Sequence, residues 1–352
     1  MSLSLTDARE IEEALSWLNK YWNKPTQPIF CDAKSIEEAL SLLDDYKGEA
    51  KIIAGGIDLI GLMKNRIISP GIIVNIKNIT HLDYISETSE ALDIGALTLI
   101  RDIERSSLIM SQHPLLSEVA QSVGSSQIRN MATVGGNLCQ EVRCWYYRRS
   151  PSTGISYDCR RKREGGICYA MDGENENHAI LGESECFAVC PSDMATAFLA
   201  LDAKIRTVSP NGGRLIPIQG FYTNLGNVLE SNEIITGIQI PKAKLNTRQR
   251  YLKLRTRKTI DFPIVSVAVA MTMDDNLVSN VRIALGGVSP MPYEVTKAEV
   301  ALEGESLTEA VVEKAAAASI SDAIPLSKNR YKMPIVKTLI RRALLESKES
   351  MG

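Results

Sequence analysis

Apolar positions recur along this chain in two rhythms, one helical and one of strand type. Over residues 6–22, Ile11, Leu15, Leu18 and Trp22 fall at helical spacing behind a Thr6 N-cap, which predicts an amphipathic packing or assembly arm. Pro25 and Pro28 break the chain after it. Ser35 and Glu38 form a capping-box pattern before a helix whose Ala39, Leu40, Leu42 and Leu43 face inward. Residues 51–54 read as a short buried strand, 55–56 as a tight Gly-Gly turn, and Asp58 as a helix start. Strands are expected over 72–76 and 91–97, and a helix over 114–123. Beyond residue 200 the strand rhythm dominates, at 204–208, 233–241, 250–256, 264–273 and 281–288. Several of these alternate apolar and polar residues as half-buried antiparallel strands do. Helices then close the chain over 296–302, 307–320 and 334–345, with Pro334 in a first turn. Strands followed by helices predict an α+β protein with a boundary near 241–247, and no internal repeat or low-complexity segment interrupts it.

Between residues 139 and 190 both rhythms fade, and chemistry takes their place. Six of the seven cysteines fall here: Cys139, Cys144, Cys159, Cys168, Cys186 and Cys190. Turn formers crowd the same stretch, and a loop of this length without its own rhythm is rarely idle. Cys144, Cys159, Cys168 and Cys186 could give four thiolates to one centre. Their wide spacing matches neither a zinc ribbon nor a compact ferredoxin run. Arg143, Arg148, Arg149, Arg160, Arg161, Lys162 and Arg163 would offset the charge of a thiolate-bound cluster, raise its potential and attract an acidic electron partner. They read equally as a solvated basic face, and His178 reads as an exposed polar residue. The residues alone leave open a metal centre or a structural loop, and iron–sulfur or zinc. The turn at 55–56 presents backbone N–H groups beside a helix start, which suits a phosphate or serves as a plain turn.

Composition narrows the setting. The 352 residues are 44% hydrophobic and 23% charged, enough for two or three domains with a sizeable core. With 40 basic and 42 acidic residues the net charge is −2, which gives no electrostatic case for nucleic acid or a membrane surface. No apolar run approaches the roughly 18 residues of a membrane span. The first segment carries charges through its apolar pattern and has no small-residue cleavage site, so it does not read as a signal peptide. A cytoplasmic protein, or a passenger exported on a partner, is expected; there clustered cysteines favour metal over disulfide.

Taken together, AGGIDLIGLMK (54–64), IRNMATVGGNLC (128–139), PSDMATAFLALDA (191–203), EIITGIQIP (233–241) and IALGGVSPMP (283–292) resemble, in the same order, the FAD-binding medium subunits of molybdenum hydroxylases. That family includes xanthine and carbon monoxide dehydrogenases, aldehyde oxidoreductases and 4-hydroxybenzoyl-CoA reductase, and the resemblance spans roughly residues 27–347. It implies an α+β fold: a helical extension over 1–26, then a two-subdomain FAD-binding domain of the vanillyl-alcohol-oxidase/PCMH type over 27–243. A C-terminal α+β domain of the CO dehydrogenase flavoprotein type, an antiparallel sheet with helices, follows over 244–352. It implies that Ile53, Ala54, Gly55, Gly56, Ile57, Asp58 and Leu59 wrap the FAD pyrophosphate. Thr133, Gly135, Gly136, Asn137, Asp193, Ile235 and Lys253 would complete the flavin site. Ile57 departs from the family's usual Thr or Ser, which removes a hydroxyl contact of about 1 kcal/mol.

The cysteine loop resembles that of the 4-hydroxybenzoyl-CoA reductase β subunit and of a bacterial aldehyde oxidoreductase flavoprotein, where it holds a 4Fe–4S cluster. The resemblance then implies Cys144, Cys159, Cys168 and Cys186 as ligands, with Cys139 and Cys190 outside the set and Cys31 in the core. No residue is expected to act as an acid or base. The chain has neither a molybdopterin domain nor a 2Fe–2S cysteine pattern, so a large molybdenum subunit and a small 2Fe–2S subunit are expected as partners. A ferredoxin-like protein or NAD would be the external electron partner. Two rivals remain: a cluster-free, NAD-linked flavoprotein whose cysteine loop binds zinc or nothing, and an assembly module that binds no flavin.

Overall fold

The structure, a computed structural model, describes residues 28–150, 153–154, 157–182 and 185–349. The helix expected over 6–22 lies outside them. Three layers of sheet follow one another along the chain. The first is a small parallel sheet of β1 (Ile29–Asp32), β2 (Ala50–Ile53) and β3 (Ile72–Asn75), in the order β1-β3-β2. Parallel neighbours need a crossover, and α1 (Ile36–Asp45) supplies the one from β1 to β2. Ser35 caps α1 by accepting from Glu38 N at 3.2 Å, but Glu38 reaches Lys34 N at 2.8 Å, so the box closes one residue early. Ala39, Leu40 and Leu43 then pack against Ile72, Val74 and Ile76. Helix α2 (Leu59–Lys64) follows β2.

The second layer is an antiparallel sheet of β4 (Ile85–Glu87), β5 (Ala91–Gly95), β6 (Lys204–Ser209), β7 (Gly212–Pro217) and a later strand, β10 (Ile234–Pro241). Its order is β4-β5-β10-β6-β7. A small hairpin, β8 (Tyr222–Thr223) and β9 (Gly226–Asn227), lies between β7 and β10. Before β6 come α3 (Ile100–Arg105), α4 (Ser107–Gln112), α5 (Pro114–Ser122), α6 (Ser126–Arg129), α7 (Val134–Leu138), α8 (Trp145–Arg148) and α9 (Asp193–Ala200). Helices α3, α5 and α9 share one core with the sheet, through Ile100, Leu116 and Phe198 against Leu92, Ile205 and Ile238.

The third layer is the antiparallel sheet β11 (Thr247–Leu254), β12 (Val265–Asp274), β13 (Leu277–Gly286) and β14 (Tyr293–Glu294). Helices α10 (Thr296–Leu302), α11 (Glu309–Ala318) and α12 (Lys332–Glu349) come after it. The strand β12 explains how this layer joins the rest. Its Val265, Val267, Val269, Met271 and Met273 face the helices, while Ala268 and Ala270, on the opposite side, belong to the core of α5 and α9. A strand buried on both faces reads as a continuous apolar run rather than an alternation. Among the described residues no helix is long and apolar enough to cross a membrane.

Every strand and helix expected beyond residue 200 is present, with shifted ends: the last helix runs Lys332–Glu349 instead of 334–345. Sequence rhythm missed β1, β4, β7, β8, β9 and β14, and the helices α3, α4, α6, α7, α8 and α9, each of eight residues or fewer, with β7 opening on two glycines. It also missed how the 139–190 insertion is held. Ile180 N and Leu181 N donate to Val288 O at 2.8 and 3.0 Å. Asn329 Nδ2 donates to His178 O and Ala179 O, and Lys332 Nζ to His178 O at 3.1 Å and Gly287 O at 2.7 Å. Asn175 accepts from Lys328 N at 2.9 Å. All three polar side chains are buried, and each satisfies backbone groups that no strand ladder serves.

Burial pushes the Lys332 ammonium down from 10.5 to about 7. Because the folded value lies below the unfolded one, the unfolded chain binds more protons between the two, and stability rises with pH across that window. Lys332→Met should flatten this rise. Denaturant midpoints for both proteins at about pH 7 and about pH 9.5 measure it; equal slopes would mean that Lys332 keeps its charge when folded.

Candidate functional site

The loop after β2 is fixed by a steric constraint. A Cβ on Gly55 would stand 2.0 Å from Met131 O and 3.2 Å from Ala132 Cα, so only glycine lets 54–58 lie against 131–133. Gly56 takes φ +72°, in the left-handed region. Among the described residues, nothing accepts from the backbone N–H groups of Gly55, Gly56 or Ile57. Free N–H groups on a tight loop are what a phosphate requires, and Ile57 lies exposed beside them. Ile53 is buried at the end of β2, and Ala54, Asp58 and Leu59 are half-buried.

Opposite this loop stands α7. Thr133 caps it by accepting from Gly136 N at 3.2 Å, and Gly135 N donates to Ala96 O at 2.9 Å. The two amides of the Gly-Gly turn are therefore engaged within the protein, unlike those of 55–57. Asn137 Oδ1 accepts from Ser192 Oγ at 2.7 Å, and Ser192 in turn caps α9 by accepting from Ala195 N. The GGN and SD motifs, more than fifty residues apart, thus meet through one hydrogen bond. Ile235 is buried in β10 at an irregularity of its pairing with β6.

Asp193 and Lys253 are brought together, though with each other. Lys253 Nζ lies 2.7 Å from Asp193 Oδ2, both side chains are 4% exposed, and Tyr251 OH donates to Asp193 Oδ1 at 2.9 Å. Lys253 also donates to Ser122 O at 3.1 Å, so this group joins α9, α5 and β11.

The four cysteines implied as ligands, Cys144, Cys159, Cys168 and Cys186, all line one small pocket with about 20 Å³ of free interior. Cys159 and Cys186 are buried, and Cys144 and Cys168 half-buried. Burial pushes the Cys144 thiol up to about 11 and raises that of Cys159, so ionising them calls for a positive centre in the cavity. Among the described residues no three His, Cys, Asp or Glu groups converge on the position of a single metal ion. Tyr146, Tyr157 and Tyr169 pack edge to face beside the cavity, with centroids 4.9 Å apart for Tyr157 and each neighbour. Cys139 is exposed, Cys190 buried and Cys31 half-buried in β1; none of them lines the cavity.

Two expectations for this loop are corrected. His178 is not exposed: it is 4% accessible, and its Nε2 lies 3.3 Å from Cys144 Sγ. Burial, with a smaller effect from Lys332, holds its pKa down to about 4. Nor are the basic residues all a solvated face, although Arg149, Arg160 and Arg163 are exposed. Arg143 and Arg148 both pair with Asp58, Arg160 with Glu185 and Arg163 with Asp158, and Arg161 is 3.5 Å from Glu141. Arg161 is itself buried, with Nε 3.3 Å from Cys186 Sγ and its other nitrogens on Leu225 O and Asn224 O. Part of the cation run becomes internal pairing because Asp58, far back in the chain, is folded against Arg143 and Arg148.

Asp58, expected as a helix start and as part of the pyrophosphate loop, has a further role that the sequence did not show. Its Oδ2 accepts from Glu141 N at 2.7 Å and its Oδ1 from Arg148 Nη2 at 2.7 Å, beside Arg143. Arg143 also lies 4.9 Å over the Phe262 ring. One carboxylate at the end of the glycine loop thereby anchors the start of the cysteine loop.

Comparison with known proteins gives the family and the fold. Residues 24–243 match the family described as the FAD binding domain in molybdopterin dehydrogenase, and 250–347 the CO dehydrogenase flavoprotein C-terminal domain. The aldehyde oxidoreductase FAD-binding subunit PaoB of Escherichia coli K12 is 32% identical over 308 residues, 85% of this chain and 92% of its own. The carbon monoxide dehydrogenase medium chain of Hydrogenophaga pseudoflava is 29% identical, over 84% of this chain and 88% of its own. A solved carbon monoxide dehydrogenase from Hydrogenophaga pseudoflava superposes with a TM-score of 0.75 at 27% identity, covering 92% of this chain and 98% of that one.

Replacing Asp58 by Asn keeps its size but leaves Arg143 and Arg148 facing each other without a counter-charge. At the usual value of a charged hydrogen bond, Asp58→Asn should cost about 1–3 kcal/mol and expose the 139–150 segment to protease first. Limited proteolysis with mass mapping reads this; cleavage elsewhere, with 139–150 still protected, would refute the anchoring role.

Proposed function

Since the chain belongs to the family of FAD-binding subunits of molybdopterin dehydrogenases, we propose that it is the electron-transferring flavoprotein subunit of a molybdenum-containing hydroxylase or reductase, with a 4Fe–4S cluster in its cysteine loop. The observation that carries the second part is the convergence of Cys144, Cys159, Cys168 and Cys186 on one cavity. FAD, when bound, supplies exchange between two-electron and one-electron chemistry, and the cluster would add a one-electron site.

The chain's own residues divide the work. The free N–H groups of residues 55–57 receive the pyrophosphate, and the loss of a hydroxyl at Ile57 leaves that task to the backbone. The caps at Thr133 and Ser192 hold α7 and α9 in place around it. The Asp193–Lys253–Tyr251 group fixes the flavin-binding layers to the C-terminal sheet. Arg161 sets an N–H beside Cys186, and such donors favour the reduced, more negative state of a thiolate-bound group.

The relatives are named as FAD-binding subunits or medium chains, which supports further, separate subunits; the partners proposed are a molybdenum and a 2Fe–2S subunit, and the location proposed is the cytoplasm. Internal pairing of the loop's cations weakens the argument for electrostatic capture of an acidic partner. A ferredoxin-like protein remains the external partner proposed, because the cavity opens outward; NAD is the alternative. Zinc bound by the same cysteines is the alternative to the cluster. The flavin-free reading is disfavoured by the unpaired N–H groups at 55–57.

Anaerobic purification should give flavin absorbance with about four iron and matching sulfide per copy of this chain, beyond any partner clusters. Zinc without acid-labile sulfide would overturn the cluster, and absent flavin the core proposal. Cys159→Ser should remove that iron while leaving FAD bound; joint loss would make the loop structural to the flavin site. Gly55→Ala forces a methyl against Met131 O, an overpacking of about 1–3 kcal/mol, and should weaken flavin retention roughly tenfold or more. Flavin content after dilution measures it, and wild-type retention would exclude 54–58 from the site.

A further inference from the structure

We infer that His178 is a tuning donor to the cysteine cavity, its Nε2–H hydrogen-bonded to the sulfur of Cys144 and raising the reduction potential of the group those cysteines hold. The inference rests on the cluster reading above.

Three observations carry it. The Nε2–Sγ separation is 3.3 Å, and the other ring nitrogen, Nδ1, is buried on the side of Asn175. A cysteine sulfur that ligates a cluster has no proton to give, so a hydrogen bond at this separation places the hydrogen on Nε2 and makes the sulfur its acceptor. Second, two aromatic rings pack against it: Trp145 meets it edge-on at 5.9 Å, and the Tyr146 ring lies tilted at 6.2 Å.

Third, the backbone beneath it is immobilised from another layer of the fold. His178 O receives Lys332 Nζ at 3.1 Å and Asn329 Nδ2 at 3.2 Å, and His178 N donates to Asn175 O at 3.0 Å. A histidine serving only to fill space would not need two buried polar side chains from the α12 region to hold its carbonyl. With Arg161 Nε 3.3 Å from Cys186 Sγ, two of the four sulfurs receive an N–H donor, from residues on separate segments of the loop. An N–H bonded to a ligand sulfur stabilises the state with more negative charge, so each donor raises the potential.

The test is a redox titration of the anaerobic complex followed by electron paramagnetic resonance, with iron and sulfide counted on the same samples, for wild type, His178→Ala and His178→Gln. With iron retained, His178→Ala should lower the reduced fraction at a fixed potential near the midpoint. A tenfold change in the reduced-to-oxidised ratio corresponds to about 59 mV for one electron. His178→Gln, whose amide can still donate, should recover part of the shift. An intact cluster with an unmoved midpoint in His178→Ala overturns the inference and leaves the cluster standing. If His178→Ala loses its iron, His178→Gln decides: a retained cluster near the wild-type midpoint supports the donor, and iron loss there too overturns it in favour of packing or direct ligation. A wild-type protein with no iron or sulfide in this chain overturns both readings together.

Discussion

One partly buried carboxylate holds the two halves of the proposed site in a single frame. Asp58 stands at the end of the loop whose backbone is free for a phosphate, and it accepts from Glu141 N, Arg143 and Arg148, where the cysteine loop begins. Its side chain is 14% exposed, and those of Arg143 and Arg148 are 28% and 18%. Charges withdrawn this far from water are screened little and are costly to leave unpaired. Without Asp58 the two guanidinium groups would repel across a short gap. The glycine loop cannot move without disturbing the cysteine loop, which gives a physical reason for two redox groups to keep a fixed separation.

Steric and polar constraints complete that frame. The close approach at Gly55 sets the glycine loop against the segment leading to α7. The bond from Ser192 to Asn137 closes the ring to α9, and Asp193 carries the connection on to Lys253 and Tyr251 in the C-terminal sheet. From the other end, Asn329 and Lys332 fasten the cysteine loop to the same C-terminal layer. The insertion is thus a bridge between the flavin-binding layers and the C-terminal helices, and the cavity with its four cysteines lies in its middle.

Much of the fold was legible because its larger elements obey simple periodicities. The run 264–273 was readable as a strand, but its burial on both faces follows only from what covers it. The short elements β1, β4 and α6 carry too few residues to show a period. In the site, glycine motifs and cysteines were legible because few residue types can do what they do. Asp58, Asn175, Asn329 and Lys332 were not, since each is an ordinary surface residue until a distant segment folds over it. His178 was misread for the same reason, and the pairing of Arg160 and Arg161 was hidden because Glu185 and Glu141 lie elsewhere in the chain.

The central claim is that this family member carries an iron–sulfur centre beside its flavin. The most direct measurement is the Mössbauer spectrum of the intact complex enriched in iron-57, compared with that of the Cys159→Ser complex. The account predicts a 4Fe–4S component, additional to the partner's 2Fe–2S signals, that disappears in the variant while its flavin absorbance persists. A wild-type spectrum holding 2Fe–2S components alone would contradict it.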